Sequence, residues 1–220
     1  MYLQIESFLT PAEVSSLLEL ARQTRFVSGR QSNPHNVTKT SLIQDPTDPA
    51  GKQASQIALA ALQRNEQVRD FVFPLRIAVP TFARYDTGTY YGPHTDAAFM
   101  PLGPSPLRTD VSCTIFLTDP GAYQGGELLV HQGTEILSFK GKPGLALFYP
   151  STAIHQVRPV SSGERLVMIT FIESQIPDPM QRDLLYALGE IRALEAAKMD
   201  WRNRVQLEYV LQNLQRMWSR

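Results

Sequence analysis

The sequence predicts a mainly β protein with helices at both ends. Between residues 75 and 174, short β-rich runs alternate with Gly, Pro, Asp and Ser, whereas the flanking segments carry helical patterns. The predicted strands are 75–85, 90–96, 111–117, 126–131, 134–139, 144–150, 155–160 and 165–174. So many short strands in this span favour a sandwich or barrel, and eight strands in two Greek keys form a double-sheet jelly roll, or double-stranded β-helix.

Sequence patterns typical of helices precede and follow the predicted strands. The Thr-Pro-Ala-Glu sequence at residues 10–13 supplies an N-cap, a proline and a capping-box glutamate, and it predicts a helix over 11–24. Helical patterns also occupy 50–63, 65–71, the segment after Asp178-Pro179, and 200–218. The expected organisation is a helical support region, a jelly roll and a helical extension, at residues 1–74, 75–176 and 177–220.

Composition and charge narrow the possible functions. The 220 residues contain 21 Lys plus Arg and 21 Asp plus Glu, and this zero net charge argues against binding nucleic acid through a strongly basic surface. No signal peptide and no apolar run of membrane-spanning length is visible, so a soluble, cytoplasmic protein without a membrane partner is expected. The single cysteine, Cys113, lies in an apolar run and is predicted to be a buried thiol.

The candidate site begins with His94 and Asp96. They are two positions apart in a predicted strand, so their side chains point to one face, as two ligands of one metal ion would. His155 is the best third candidate among the four histidines, because it follows the apolar run 144–150 and opens the extended stretch that begins at 155. The strand count agrees, since the second and seventh strands are neighbours in a jelly roll. Two histidines and one carboxylate with open coordination positions form the facial triad of non-haem Fe(II) oxygenases. His35 and His131 are interpreted as loop and structural or surface residues.

Arg165 opens the eighth predicted strand, with apolar residues following it, which is an unusual place for an unpaired cation. A dicarboxylate such as 2-oxoglutarate chelates a metal through its 2-oxo acid end and needs a cation for its far carboxylate. A buried arginine can hold that carboxylate through two parallel charge-assisted hydrogen bonds. A surface salt bridge is the alternative explanation of Arg165.

Short segments throughout the predicted jelly roll carry a further signal. They are Arg84-Tyr85, Tyr91 to Asp96, Arg108 to Leu117, Gly125 to Leu128, Tyr149 to His155, and Pro159 to Arg165. With these segments the sequence resembles the 2-oxoglutarate- and Fe(II)-dependent dioxygenases of the prolyl-4-hydroxylase-like superfamily. Within it, the sequence is most similar to the bacterial PKHD-type hydroxylases, which include a member associated with iron uptake. The likeness continues into the tail, from Gln181 to Leu194.

The resemblance implies a role for each candidate residue. His94, Asp96 and His155 would bind iron. Arg165 would hold the C5 carboxylate of 2-oxoglutarate, and Tyr85, whose strand parity lets it face the same cavity, would contact that cosubstrate. The implied cofactors and cosubstrates are Fe(II), 2-oxoglutarate and dioxygen, with L-ascorbate as a reductant. The implied reaction hydroxylates a substrate C–H bond and releases succinate and CO2.

Several alternatives stay open at this point. The substrate is a peptidyl proline, an amino acid or a siderophore-like metabolite. A non-catalytic sensor that binds metal and 2-oxoglutarate is one rival function, and a cupin-like metalloenzyme without 2-oxoglutarate is another. Thr114 and Phe116 share a parity on the third strand and are candidates for lining the cosubstrate pocket. The proline-rich stretch before that strand, 97–108, borders the metal and is expected to take part in substrate selection. The C-terminal helices are expected to pack on the jelly roll or to form a homo-oligomer.

Overall fold

The protein, seen as a computed structural model, is described for residues 1–33 and 36–220. The helices are α1 (Pro11–Gln23), α2 (Pro49–Arg64), α3 (Glu66–Val72), α4 (Pro179–Glu195) and α5 (Trp201–Trp218). The strands are β1 (Leu3–Ile5), β2 (Phe26–Ser28), β3 (Leu42–Gln44), β4 (Pro74–Ile77), β5 (Thr81–Tyr85), β6 (Tyr91–His94), β7 (Phe99–Met100), β8 (Leu107–Arg108), β9 (Val111–Phe116), β10 (Gln124–Gly125), β11 (Leu128–Gln132), β12 (Glu135–Phe139), β13 (Ala146–Pro150), β14 (His155–Val157), β15 (Val160–Ser162) and β16 (Arg165–Ser174). The prediction for His35 lies outside the described residues.

The core is a double-sheet jelly roll, as predicted. The larger sheet has the strand order β1-β13-β9-β16-β5-β3-β2, with β4 also pairing with β16, and the smaller sheet has the order β12-β11-β14-β6. The predicted second and seventh strands, β6 and β14, are hydrogen-bonded neighbours. The predicted first strand is divided into β4 and β5, which pair with successive parts of β16. Pro80 lies at this break, where a residue without a backbone N–H cannot donate to the ladder.

The larger sheet also takes strands from the N-terminal region. β1 pairs with β13 at one edge, and β3 pairs with β5 and carries β2 at the other edge. The predicted boundary after residue 74 therefore lies inside β4, and strands on both sides of it belong to one sheet. The helix predictions are confirmed. At the start of α1, Thr10 and Glu13 form the expected capping box, and the Glu13 carboxylate also accepts hydrogen bonds of 2.6 and 2.7 Å from Arg64 of α2.

Strand β9 shows how the larger sheet is buried on both faces. Alternate side chains point to opposite sides. Val111, Cys113 and Ile115 belong to the apolar layer shared with α1, α2 and α3, and Cys113 is the predicted buried thiol. Phe116, two residues from Thr114, belongs to the layer between the two sheets. That inner layer is rich in tyrosine and phenylalanine, and it contains Tyr85, Tyr91, Phe116, Tyr123, Phe139 and Tyr149. Two of its rings, those of Tyr91 and Tyr149, contact His94 and His155 of the candidate site.

The C-terminal helices form a smaller apolar cluster beside the jelly roll. Ile176, Leu185 and Leu211 are its buried members, with Phe73 and Trp218 packed against it. Both helices also carry exposed apolar side chains: Met180, Leu184, Ile191, Leu194, Trp201, Val205, Tyr209, Val210 and Met217. In the described part of the chain, none of the helices combines the length and apolar character that crossing a membrane requires.

We expect Gly125 to be required for the junction between β10 and β15. Its φ is +73°, and a Cβ atom there would lie 2.0 Å from the Pro159 carbonyl oxygen. Gly125→Ala should lower the free energy of unfolding by roughly 3 kcal/mol, the sum of an unfavourable backbone conformation and a collision with backbone. Urea unfolding followed by fluorescence measures this loss.

Gly133→Ala is the matched control for that measurement. Gly133 also has a positive φ, +62°, but a Cβ atom there meets nothing within 4 Å. Its alanine variant should lose only about 1 kcal/mol from the backbone. Equal losses in the two variants would show that the contact with Pro159 is unimportant.

Candidate metal centre

The structure brings His94, Asp96 and His155 together. His94 ends β6, His155 begins β14, and the two residues are direct cross-strand partners with ring centroids 4.2 Å apart. Asp96 follows β6 by two residues, and its backbone N–H donates to the Ser151 carbonyl at 3.3 Å. One ligand atom from each of the three side chains lies within 4.8 Å of the others. A cluster of two imidazoles and one carboxylate at this spacing could hold a metal ion.

The hydrogen bonds of the two histidines leave one nitrogen of each free for a metal. His94 Nδ1 lies 2.8 Å from the Gly92 carbonyl oxygen, and His155 Nδ1 lies 3.0 Å from that of Ala153. A carbonyl only accepts, so Nδ1 carries the proton and donates, and Nε2 keeps its lone pair. Nε2 of His94 and of His155 lie 4.0 and 3.6 Å from the Asp96 carboxylate oxygens. Two metal bonds of about 2.1 Å can span such separations.

Burial shifts the protonation of His94 and Asp96 in different directions. Burial lowers the pKa of His94 to about 3, and the neighbouring His155 lowers it further in the same direction. The His94 ring is therefore neutral at pH 7, as a metal ligand must be. Burial also raises the pKa of the Asp96 carboxyl, while His155 and the hydroxyl of Ser112 act in the opposite direction. A bound cation would favour the ionised carboxylate further.

Sequence reasoning missed two serines that support Asp96. Ser112 on β9 donates to Asp96 Oδ2 at 2.5 Å, and its hydroxyl lies 2.7 Å from that of Ser151. Both serines are buried. The sequence did contain a signal for Ser112, because this residue has the same strand parity as Thr114 and Phe116, the candidates for lining the cosubstrate pocket. It is a hydroxyl inside a strand whose six residues are all buried. Hydrogen bonds of this kind orient a metal-binding carboxylate.

Arg165 lies inside the protein and not at its surface. It is 1% exposed, and it begins β16 opposite Tyr85 of β5. Its guanidinium carbon lies 4.9 Å from the centroid of the Tyr85 ring and 5.6 Å from that of Phe116. Among the described residues it forms no ion pair, and its Nε has no hydrogen-bond partner. Because Arg165 is buried and pairs with no carboxylate of the described residues, it does not form a surface salt bridge.

Aromatic side chains and one glycine shape the space around Arg165. Tyr85 and Phe116 pack in the inner layer, and burial raises the pKa of the Tyr85 phenol, which is therefore neutral. A Cβ atom at Gly126 would lie 2.9 Å from the Tyr123 ring and 3.1 Å from Cδ of Arg165. Gly126 thus leaves room for the arginine. The residues present fit a ligand with a carboxylate, because a buried cation with an unpaired donor needs an anion.

The stretch 97–108 forms a hairpin of β7 and β8 beside Asp96. Arg108 at its base donates to both Asp110 carboxylate oxygens, at 2.8 and 2.9 Å. Arg76 donates to Ser105 and to the Pro106 carbonyl. Phe99 is nevertheless 60% exposed. An anchored hairpin with an exposed apolar side chain at its base, three residues after Asp96, is compatible with a role in substrate contact.

A lysine that sequence reasoning did not single out also lies near the triad. Lys39 is only 7% exposed, and its ammonium lies 4.9 Å from the centroid of the Tyr91 ring, which itself stacks on His94 at 3.5 Å. Burial lowers the pKa of Lys39, and the charge of Asp96 acts in the opposite direction. In the sequence this lysine is one of many polar residues in a predicted loop, and nothing there marks it.

Comparisons with known proteins agree with this geometry. Residues 80–173 match the model of the 2OG-Fe(II) oxygenase superfamily. A PKHD-type hydroxylase of Sphingopyxis alaskensis is 49% identical over 94% of this chain and 94% of its own length. One from Xanthomonas campestris pv. campestris is 36% identical over 100% of this chain and 99% of its own. The crystal structure of a Pseudomonas putida prolyl-4-hydroxylase superposes with a TM-score of 0.53 at 22% identity, covering 79% of this chain and 92% of that one.

We expect Ser112→Ala to weaken metal binding at this centre. The variant loses the hydrogen bond that orients the Asp96 carboxylate, and such losses cost about 10- to 100-fold in metal affinity. Titration with Mn(II), followed by electron paramagnetic resonance, measures the affinity. Ser138→Ala on the exposed side of β12 is the control and should bind as the unchanged protein does. An unaltered affinity in Ser112→Ala would mean that Asp96 needs no support from this hydroxyl.

Proposed function

Since the chain belongs to the PKHD-type hydroxylases of the 2OG-Fe(II) oxygenase superfamily, we propose that His94, Asp96 and His155 bind its Fe(II). We propose also that Arg165 binds the far carboxylate of 2-oxoglutarate and that Tyr85 contacts this cosubstrate. The protein is a dioxygenase of the hydroxylase type, and the proposed reaction hydroxylates a substrate C–H bond and releases succinate and CO2. Family members act on small-molecule or peptide substrates. The substrate classes under consideration are a peptidyl proline, an amino acid or a siderophore-like metabolite.

The observation that carries this assignment is the buried Arg165. A cation inside an apolar layer is costly unless an anion pairs with it, and the described residues supply none. The fork of the guanidinium matches a carboxylate with two parallel hydrogen bonds. 2-Oxoglutarate has a carboxylate at each end, so one end can reach the metal while the other pairs with Arg165.

Each protein group then has a defined task. Fe(II) with bound 2-oxoglutarate supplies the oxidising chemistry for C–H hydroxylation. The Gly92 and Ala153 carbonyls accept from Nδ1 of the two histidine rings, which leaves Nε2 of each ring free to bind Fe(II). Ser112 holds the Asp96 carboxylate through Oδ2. The phenol of Tyr85, kept neutral by burial, can donate a hydrogen bond to a cosubstrate oxygen beside Arg165.

Three finer features complete the proposal. The enzyme would work in the cytoplasm, a location compatible with its single, buried and unpaired Cys113. It would use L-ascorbate to keep iron reduced. It would self-associate through the exposed apolar residues of α4 and α5, such as Leu194, Trp201 and Tyr209. Cell fractionation tests the location, and sedimentation velocity tests the association.

We expect the Fe(II)-loaded protein to convert 2-oxoglutarate to succinate when oxygen is admitted, slowly without substrate and faster with one. His94→Ala should abolish succinate formation because a metal ligand is lost, and ascorbate should increase the number of turnovers. Succinate is measured by chromatography. His131→Ala, which removes a histidine of β11 outside the triad, is the control and should keep its activity. Firm 2-oxoglutarate binding without succinate, across a panel of peptides, amino acids and metabolites, would favour the sensor.

We expect Arg165→Ala to bind 2-oxoglutarate at least about thirtyfold more weakly, because loss of a partner from a buried charged contact costs about 2–5 kcal/mol. The 2-oxoglutarate affinity of Arg165→Lys should lie between those of the unchanged protein and Arg165→Ala, since lysine keeps the charge but lacks the forked pair of donors. Isothermal titration with Mn(II)-loaded protein measures both. Mn(II) affinity should not change.

Two controls make this result specific. Pyruvate lacks the far carboxylate and should bind the unchanged protein and Arg165→Ala about equally. Arg158→Ala removes an exposed arginine and should leave 2-oxoglutarate binding intact. If folded, metal-loaded Arg165→Ala kept full 2-oxoglutarate affinity, the cosubstrate assignment would be wrong and a cupin-like centre would be preferred.

A further inference from the structure

Lys39 is held beside the metal centre by a short extended segment that adds to the edge of the smaller sheet. Lys39 forms a β-bridge with Tyr91 of β6. Thr40 N–H donates to the Tyr90 carbonyl at 3.1 Å, and Gly92 N–H donates to that of Thr38 at 3.3 Å. Residues opposite each other across a ladder share a face, so the lysine lies on the Tyr91 face of the strand. His94 is three residues further on, and the irregular pairing of β6 between Tyr91 and His94 allows its ring to stack on that of Tyr91.

Two glycines make this position possible. A Cβ atom at Gly92 would lie 2.5 Å from the Thr38 hydroxyl oxygen, so the segment can approach β6 only because no side chain is there. A Cβ atom at Gly29 would lie 2.6 Å from the Ser41 carbonyl and 3.1 Å from Cε of Lys39. The backbone therefore leaves a channel for the lysine side chain, whose ammonium is buried as a result.

The Lys39 ammonium has more donors than the protein satisfies. It can donate three hydrogen bonds, and among the described residues only the Ser32 hydroxyl accepts one, at 2.7 Å. No carboxylate of the described chain lies within ion-pair distance of it. The Tyr91 ring offers a cation–π contact, which is a weaker partner than an anion. The ammonium can therefore accept an anionic ligand.

The charges of the loaded site point to the same conclusion. The two positive charges of Fe(II) and the one on Arg165 balance the carboxylate of Asp96 and the two carboxylates of 2-oxoglutarate. Lys39 then leaves one positive charge without a counterpart in a buried site, which is unfavourable until an anion joins it. Asp96 cannot serve as that counterpart, because the metal already uses its charge.

We propose that Lys39 binds a carboxylate of the substrate, and that the hydroxylated molecule is therefore an organic acid and not a neutral compound. This inference rests on the proposed function, in which metal and 2-oxoglutarate occupy the triad and Arg165. Three exposed apolar residues are close in the chain to these groups and are the candidates for an apolar rim: Val37 lies two residues before Lys39, Phe99 lies three after Asp96, and Ile154 directly precedes His155. The substrate thus presents an anionic group to Lys39 and an apolar part to this rim.

The test uses acetate and acetamide, which have similar shapes but differ in charge, as probes. Protein loaded with Mn(II) and saturated with 2-oxoglutarate is titrated with each compound, and the paramagnetic relaxation of the methyl protons is measured. Saturating 2-oxoglutarate keeps acetate away from Arg165. Acetate should show saturable relaxation in the unchanged protein, and acetamide should not. Lys39→Met should weaken acetate binding at least tenfold, whereas Lys39→Arg should keep most of it.

Control measurements separate the possible failures. Lys52→Met removes an exposed lysine of α2 and should bind acetate normally. Binding of Mn(II) and 2-oxoglutarate shows that a variant is folded. If Lys39→Met binds neither of them, Lys39→Gln is used in its place. Absence of saturable acetate binding in the unchanged protein overturns the inference. So does acetate binding that survives loss of the ammonium, or a tenfold loss of 2-oxoglutarate affinity in Lys39→Met. Failure of the unchanged protein to bind Mn(II) and 2-oxoglutarate refutes the proposed function instead.

Discussion

The pairing of β6 with β14 is the constraint on which the centre depends. It places His94 and His155 opposite each other across one ladder, where side chains lie close enough to share an ion. A shift of either strand by one residue would turn its histidine to the other face. Tyr91 and Val157, buried and paired on the same two strands, oppose such a shift, although β6 has one more residue than β14 between this pair and the histidine pair. Packing of the inner layer and the position of the two histidines thus depend on the same strand pair.

The inner layer of the jelly roll encloses a polar site within apolar and aromatic side chains. Tyr85, Phe116 and Tyr149 exclude water, while Arg165 and the triad supply the charges and lone pairs. Inside such a layer, electrostatic contacts are stronger than in water, and unpaired charges are correspondingly expensive. The same burial that makes Arg165 unfavourable in isolation makes it a strong partner for a carboxylate.

Two cations, Arg165 and Lys39, reach the centre from different parts of the chain. Arg165 begins β16, a strand that lies between β9 and β5 in the middle of the larger sheet. Lys39 comes from a segment that adds to the edge of the smaller sheet and depends on Gly92 for its close approach. The rigid core thus carries the proposed cosubstrate contact, and a peripheral segment carries the proposed substrate contact. Loops beside a rigid scaffold commonly divide function in this way.

Sequence alone determined the strand and helix pattern, and with it the jelly roll, because side-chain periodicity and turn residues are local properties. It also singled out His94, Asp96, His155, Arg165 and Tyr85, since strand parity relates residues close in the chain and the motif set was specific. Only the tertiary structure showed that Ser112 holds Asp96 and that Lys39 reaches the Tyr91 face. Lys39 and Tyr91 are 52 positions apart, and their contact depends on a bridge that no local pattern encodes. Long-range pairing of irregular segments is decided by packing. Here it requires the absence of a Cβ atom at Gly92, which lets the segment around Thr38 approach β6.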